Sequence, residues 1–236
     1  MSAFVNSLQT LFQSHADPLA AAPMKAYMRD QFSYLGIKTP ERRTLLREFI
    51  AEHGLPALDD LANVLFELWA LPEREFQYTA VGLLGRFEKN LPPEFIDTIE
   101  TLLTSKSWWD TVDSLATQTV GIHFRRYPDV KQRTLAVWRQ SNDFWLRRTC
   151  ILFQINYKTE TDFALLKAII NENLGSKEFF INKAIGWALR AYTRVDPDGV
   201  RVFVTETPLN PLSAREALKW LNRQDQRQTN LTNTAA

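Results

Sequence analysis

The sequence predicts an all-α protein, and three observations support this fold class. Apolar residues recur at helical spacing along most of the chain, as in FIDTIETLL, ANVLFELWAL, FALLKAII and AREALKWL. No run of alternating apolar and polar residues is bounded by the dipeptides that close hairpins, so strands are not expected. Proline and small polar residues separate the helical segments, for example in KTPE, LPPE, YPDV and VDPD.

A repeated pattern gives these helices an order. Each copy begins with a polar cap, continues with aromatic or charged residues and runs on as a helix; the clear copies are LPEREFQYTAVGLLGRF, TSKSWWDTVDSLATQTV, QSNDFWLRRTCILFQIN and GSKEFFINKAIGWALRA. Their starts are 33, 36 and 35 residues apart, and weaker copies are TPERRTLLREF and LSAREALKWL. This period predicts a right-handed-type solenoid of about six HEAT-like helical repeats, C-shaped, with a concave basic face where a long ligand would lie.

The length of 236 residues is sufficient for one substantial core. We expect a single HEAT-like repeat domain over residues 1–222 and a polar, frayed C-terminal tail over residues 223–236, with the sequence NRQDQRQTNLTNTAA beginning at the boundary. The chain starts without a basic region followed by an apolar run, and no stretch is long enough to span a membrane. The single cysteine, Cys150, excludes an internal disulfide and fits a reducing compartment. We therefore expect a cytoplasmic protein.

The charge distribution is uneven although the net charge is only +1. Residues 1–105 hold 9 Lys and Arg against 14 Asp and Glu, whereas residues 106–194 hold 14 against 8. An acidic first part joined to a basic second part favours contact of one side with an anion, although drift produces such asymmetry as well.

Two helices carry polar residues beside tryptophans. In the helix that starts near Ser107, Trp109 and Asp113 are one turn apart and lie at the edge of the apolar row, which consists of Trp108, Val112 and Leu115. In the helix that starts near Lys177, the row Lys183, Trp187 and Arg190 lies away from the apolar row, which consists of Ile181, Ile185 and Leu189.

In the preceding repeat Arg148 lies opposite Cys150, which belongs to an apolar row. The two tryptophans, the carboxylate and this arginine therefore come from three successive repeats, and we expect them to share the concave surface.

Structural roles are the alternatives at each of these positions. Trp69, Trp108, Trp138 and Trp145 are expected to fill the core, and Trp109 alone would often do so. Asp113 taken alone is a helix cap or an ion-pair partner. The three histidines are too scattered to suggest a metal site, and no phosphate loop or dinucleotide fingerprint is present, so neither a metal nor a cofactor is expected.

Several ordered segments resemble the AlkD family of bacterial alkylpurine DNA glycosylases over nearly the whole chain. They are PMKAYM, LGIKTPERR, LPEREFQ, SKSWWDTVDS, ILFQINYK, SKEFFINKAIGWALR and NPLSAREALKWL. The resemblance implies a C-shaped stack of HEAT-like repeats that holds duplex DNA. It also implies hydrolysis of the N-glycosidic bond of cationic N3- and N7-alkylated purines.

The resemblance assigns Trp109, Asp113 and Trp187 to the cleft, Arg148 to a backbone contact and Tyr27 to a cleft aromatic position. With these residues we expect Asp113 to stabilise an oxocarbenium-like sugar and to activate water, and Trp109 and Trp187 to supply π-density.

Phosphate contacts are expected from Arg148, Lys183 and Arg190, together with Thr39 and Arg43 near a helix start. The expected partner is duplex DNA, and the expected state is a monomer that works at the nucleoid. Two alternatives remain open: a non-catalytic HEAT-like DNA-binding or scaffold protein, and a single-strand binder with aromatic stacking platforms.

Overall fold

The computed structural model describes the backbone of residues 1–234 and the side chains of residues 1–226. Within this part, 73% of the chain is helical and no strand is present. The chain forms two compact units, Met1–Lys106 and the part from Ser107 onward. The predicted all-α class is confirmed.

The first unit consists of six α-helices and two short 3-10 turns within the described chain. The helices are α1 Ala3–Ser14, α2 Pro18–Tyr27, α3 Thr39–His53, α4 Leu61–Ala70, α5 Arg74–Leu84 and α6 Ile96–Thr104, and the 3-10 turns are Leu58–Asp60 and Pro93–Phe95. Local sequence explains several starts. The side chains of Ser2 and Asp17 accept hydrogen bonds from the first backbone N–H groups of α1 and α2.

The second unit continues the same pattern with eight α-helices in its described part. They are α7 Trp109–Ser114, α8 Gly121–Arg126, α9 Pro128–Trp138, α10 Phe144–Leu152, α11 Phe163–Glu172, α12 Phe179–Tyr192, α13 Pro197–Glu206 and α14 Pro211–Thr234. A π-helix, Leu115–Val120, joins α7 to α8, and a 3-10 turn, Lys158–Glu160, follows α10. The side chains of Asp143, Asp162 and Asp196 cap α10, α11 and α13.

The repeat is more regular in the structure than in the sequence pattern. The helices α3, α5, α7, α10 and α12 begin at Thr39, Arg74, Trp109, Phe144 and Phe179, so that successive starts are 35 residues apart every time. We call these five the repeat helices. Their spacing confirms the helical repeat, while the C shape and the basic concave face stay predictions.

The predicted core tryptophans are largely confirmed. Trp69, Trp138 and Trp145 are buried. Trp108 is only partly buried and precedes α7 as its N-cap residue, whereas the sequence placed it on the apolar row inside that helix. Its extended backbone turns the ring against Trp145 and Phe180 instead.

The C-terminal helix is longer than expected. α14 continues to Thr234, so the segment predicted as a polar tail is helical up to that residue, and residues 235–236 lie outside the described part. Fraying of this segment and a single domain over residues 1–222 stay predictions. None of the described helices is long and apolar enough to cross a membrane.

Candidate active site

Asp113 lies on the short helix α7, one turn after Trp109, and both side chains are partly exposed. Val112 on the same helix is fully buried, which fixes the orientation of α7. Immediately after α7 the chain widens into the π-helix Leu115–Val120. Single π-turns within helices are rare and often occur at functional sites, because the wider turn displaces the neighbouring side chains.

Arg148 on α10 binds the Asp113 carboxylate with two nitrogen atoms. Arg148 Nε donates to Asp113 Oδ1 over 2.7 Å, and Arg148 Nη2 donates to Asp113 Oδ2 over 2.8 Å. The Arg148 side chain is 3% exposed and that of Asp113 is 17% exposed. A bidentate pair fixes the plane of the carboxylate as well as its position. The ion-pair role considered for Asp113 from the sequence is therefore real, and the carboxylate still reaches the surface.

A third helix, α12, also binds the guanidinium of Arg148. Arg148 Nη1 donates to the carbonyl oxygen of Phe180 in the first turn of α12. The Phe180 ring also packs against Trp108 and Trp145, with ring centroids 5.1 Å and 4.9 Å away. Arg148 thus connects α7, α10 and α12 above an aromatic cluster, which leaves its guanidinium little freedom to move.

Burial and Arg148 shift the pKa of the Asp113 carboxyl in opposite directions. Loss of hydration raises its pKa above the usual value for aspartate, and the hydrogen bonds and charge of Arg148 limit that rise. The carboxyl of Asp110, one turn earlier, adds a smaller upward effect.

Lys183, Trp187 and Arg190 lie on α12 as predicted, and the apolar row Ile181, Ile185 and Leu189 of the same helix is buried. That row is confirmed as core. The side chains of Lys183, Trp187 and Arg190 are partly exposed and line a cavity of about 890 Å³, formed by residues of α10, α11, α12 and α14 and of the segments that follow α10 and α12.

Glu216 on α14 binds both cations of this row. Lys183 Nζ lies 2.9 Å from one carboxylate oxygen, and Arg190 Nη1 donates to the other. Glycine makes the contact possible: a Cβ at Gly186 would lie 2.5 Å from the Cβ of Glu216 and 2.9 Å from the carbonyl oxygen of Ser213. The pKa of Glu216 is lowered, chiefly by its hydrogen bond to Lys183.

The remaining predicted residues belong to the first unit. Tyr27 is the last residue of α2 and is 72% exposed. Thr39 begins α3 and Arg43 follows one turn later, and both are exposed. The cleft position expected for Tyr27 stays a prediction, and so do the phosphate contacts expected for Thr39, Arg43, Arg148, Lys183 and Arg190. For Arg148, three N–H groups already bind protein acceptors.

A positional rule connects the predicted residues. Arg43, Asp113, Arg148 and Lys183 are each the fifth residue of a repeat helix. The fifth residue of α5 is Tyr78, whose hydroxyl shares a 3.0 Å hydrogen bond with that of Tyr34. Tyr78 was not singled out in the sequence, although it lies 35 residues from both Arg43 and Asp113.

The sequence interpretation missed two residues that contact the site within the second unit. Glu216 follows no such spacing, and Phe180 acts through its backbone carbonyl, so neither carried a signal in the sequence. Among residues 1–226, whose side chains are described, no group of three or more His, Cys, Asp and Glu side chains is arranged to hold a metal ion.

The fold and this site define an all-helical repeat protein with an arginine-bound carboxylate next to a partly exposed tryptophan. The chain belongs to the family of DNA alkylation repair enzymes, because the sequence profile of that family matches residues 8–221. The resemblance found in the sequence is thereby confirmed.

A solved structure supports the same conclusion. A protein from Enterococcus faecalis, described as a predicted DNA alkylation repair enzyme, is 32% identical to this chain and superposes with a TM-score of 0.81. The match covers 87% of this chain and 96% of that one. No curated protein matches the chain at a significant level.

Proposed function

We propose that this protein is a monofunctional DNA glycosylase that hydrolyses the N-glycosidic bond of cationic N3- and N7-alkylated purines, such as 3-methyladenine and 7-methylguanine, in duplex DNA. The observation that carries the proposal is the Asp113 carboxylate, which Arg148 holds in a fixed plane, one helical turn from Trp109. Membership in a DNA alkylation repair family supports a DNA substrate.

The substrate chemistry explains why a carboxylate is useful here. An alkylated purine of this class is already positively charged, so the bond from C1′ to the ring nitrogen breaks without a proton donor, and its electron pair neutralises the base. Positive charge then develops on the sugar. A preorganised carboxylate stabilises such a charge, and it also orients the water that adds to C1′ and accepts its proton.

The pairing with Arg148 is compatible with this role. An ionised carboxylate has about four lone-pair sites, and Arg148 occupies two of them. The remaining sites are available on the exposed edge of Asp113 for the sugar and the water. Because the positive charge of Arg148 weakens the field of the carboxylate, the principal effect of the pair is a fixed orientation.

Trp109 and Trp187 are proposed to face the substrate with their rings. Both are partly exposed, which distinguishes them from the buried Trp69, Trp138 and Trp145. An indole beside a cationic base or sugar contributes roughly 0.5–2 kcal/mol by a cation–π interaction. Ordinary purines are neutral and gain less, so these rings favour the damaged base.

DNA is proposed to be held through phosphate contacts from both units. The candidates are Thr39 and Arg43 in the first unit and Arg148, Lys183 and Arg190 in the second, while Tyr27 is proposed to contact the DNA as an aromatic residue of the cleft. The second unit, from Ser107 onward, contains 18 Lys and Arg against 13 Asp and Glu, whereas the first contains 10 against 14. This balance favours an anionic partner on the unit that contains Asp113. We propose that a monomer performs the reaction.

The test measures the release of free 7-methylguanine from duplex DNA. The reaction is run under single-turnover conditions, and the released base is quantified by chromatography. We expect release by the wild-type protein and a decrease of about 100- to 1000-fold in Asp113→Asn, because a preorganised charge at the reacting carbon is lost. The control variant is Asp129→Asn, which removes an exposed carboxylate from the first turn of α9 and should release base at the wild-type rate.

Two results would contradict the proposal in different ways. Release by Asp113→Asn at the wild-type rate would keep the enzyme and move the catalytic role elsewhere. No release by the wild type, with duplex binding that still weakens in salt, would instead identify a non-catalytic DNA-binding solenoid. Thermal melting of Asp113→Asn is measured in parallel, since the change leaves Arg148 without its carboxylate.

A further inference from the structure

The helix that carries Asp113 is too short to hold that residue in place by itself. α7 contains six residues, and an isolated helix needs about 12–15 residues to be even marginally stable in water. The chain continues directly into the π-helix Leu115–Val120, where the N–H of Gly121 donates to the carbonyl oxygen of Ala116, five residues earlier. The position of Asp113 therefore depends on what anchors the π-helix.

The next repeat anchors the far end of the π-helix through Gly121. A Cβ at Gly121 would lie 2.6 Å from the carbonyl oxygen of Phe153, so this contact requires glycine. The hydroxyl of Tyr157 donates to the carbonyl oxygen of Gly121 over 2.6 Å, and its ring packs edge-on against Phe153. Burial raises the pKa of the Tyr157 phenol well above its usual range, so the hydroxyl stays protonated as a donor. The π-helix is thus fixed against the end of α10.

A second set of hydrogen bonds connects the same segment to the backbone of Asp113. The Thr117 hydroxyl, inside the π-helix, donates to the carbonyl oxygen of Asp113 over 2.8 Å. The Asn156 side-chain amide donates to the carbonyl oxygen of Thr117 over 2.9 Å. A threonine hydroxyl bonded four residues back often bends a helix, which suits the change from α7 to the wider turn. The repeat of α10 therefore holds Asp113 at two points, the carboxylate through Arg148 and the backbone through Thr117.

We propose that Thr117 and Tyr157 are positioning residues, which act through the π-helix to keep the Asp113 carboxylate in place for base release. Neither side chain is proposed to touch the substrate. Misplacement of a reacting group by about 1 Å reduces a rate by up to about 100-fold, so the loss of one such hydrogen bond has a measurable effect. The inference rests on the proposed function for the role of Asp113 and adds the residues that set its position.

The test uses variants that each remove one hydroxyl. Thr117→Val keeps the shape of the side chain and Tyr157→Phe keeps the ring, whereas Thr117→Ser retains a hydroxyl at the same place. The matched control is Thr205→Val on α13, because the Thr205 hydroxyl also donates to the carbonyl oxygen four residues earlier. Asn156 is left unchanged, since it also lines the cavity beside Trp187.

Release of 7-methylguanine is measured in single turnovers with the protein in excess, and the Kd for the duplex is measured separately. We expect the release rate to fall about 3- to 10-fold in Thr117→Val and in Tyr157→Phe, because the carboxylate is displaced and not removed. Kd should stay at the wild-type value, and Thr117→Ser and Thr205→Val should release base at the wild-type rate. In an Asp113→Asn background neither hydroxyl substitution should have a further effect, since a residue that acts only through Asp113 loses its influence with the carboxylate.

The free protein provides a readout that needs no activity. The pKa of the Asp113 carboxyl is followed by carbon NMR of its side chain. Arg148 limits the rise of this pKa that burial causes, so a displaced carboxylate that loses part of those hydrogen bonds should titrate at a higher pH than in the wild type. We expect this shift in Thr117→Val and in Tyr157→Phe, and none in Thr205→Val.

Three outcomes would overturn the proposal: wild-type release rates in both hydroxyl variants, an equal loss of rate in the Asp113→Asn background, or an unchanged pKa of Asp113 in both variants. A loss of duplex affinity that accounts for the lower rate would likewise overturn it and assign Thr117 and Tyr157 to DNA binding. Absence of base release by the wild type would contradict the glycosylase proposal alone, and the titration of Asp113 would still decide whether the two hydroxyls position it.

Discussion

Arg148 and Asp113 form a bidentate ion pair between α10 and α7, and both are the fifth residue of their repeat helix. Residues 35 positions apart in the sequence thus become direct partners in adjacent repeats. The arginine is almost fully buried and the carboxylate reaches the surface. This asymmetry makes Arg148 a positioning residue for the group proposed to carry the chemistry.

Arg148→Lys tests that positioning. Lysine keeps the positive charge but cannot donate two parallel hydrogen bonds, so the plane of the carboxylate is no longer fixed. We expect the single-turnover rate of base release to fall about tenfold, with little change in duplex affinity. The matched control is Arg147→Lys on the same helix, since Arg147 donates to the backbone carbonyl of Ser141. Equal rates for the two variants would show that Arg148 does not orient Asp113.

The pH dependence of release tests the state of Asp113. Burial raises the pKa of this carboxyl, and the proposed role requires its ionised form. Release should therefore fall as the pH is lowered through a value above the usual aspartate pKa of about 4. The measurement is the release rate against pH, corrected for spontaneous loss of base without protein. A rate that stays constant down to pH 4 would contradict the raised pKa.

The raised pKa of Asp113 also affects the stability of the folded protein, and its effect on stability runs with pH in the opposite direction from its effect on base release. Because the folded protein binds this proton more tightly than the unfolded chain, the contribution of Asp113 is most favourable below the unfolded pKa and is lost as pH rises through the folded pKa. Asp113→Asn should lack this component of the pH dependence of unfolding.

Glu216→Gln tests the carboxylate that joins α12 to α14. The pKa of Glu216 is lowered by Lys183 and Arg190, so its stabilising effect is complete above the usual glutamate pKa of about 4.3 and is lost as pH falls through the lowered value. At pH 7 we expect the free energy of unfolding in urea to decrease by about 1–3 kcal/mol. The difference from wild type should shrink at acidic pH, and the exposed Glu206→Gln should show no comparable loss.

Gly186→Ala tests the close approach of the same two helices. The new Cβ would meet the backbone of Ser213 and the Cβ of Glu216, neither of which is the flexible end of a side chain. We expect a destabilisation of about 1–3 kcal/mol by thermal melting. Gly82→Ala in α5 is the control, because its Cβ would meet only a methyl group of Leu46 at 3.8 Å. That variant should be as stable as wild type or up to about 1 kcal/mol more stable. If Gly186→Ala melted at the same temperature as the wild type, the packing of α12 against α14 would have relaxed to admit the new methyl group.

The sequence carried much of the fold because helical periodicity and capping are local properties. The apolar row Ile181, Ile185 and Leu189 and the caps at Asp143 and Asp162 follow from neighbouring residues alone. The repeat was visible for the same reason, although its constant period of 35 residues became clear only from the helix starts. Trp108 was misplaced because its ring packs against residues of later repeats.

For the site, as for the fold, local features could be predicted from the sequence and contacts between distant helices could not. The sequence by itself determined an all-helical repeat protein and the stripes that carry Trp109, Asp113, Lys183 and Trp187, since residues three or four apart share a helix face. Only the tertiary structure decided what those side chains meet. The partner of Asp113 comes from the next repeat, and Glu216 binds Lys183 from a helix that helical spacing cannot connect to it. Such pairings depend on how closely helices pack, as at Gly186, and no local pattern encodes that distance.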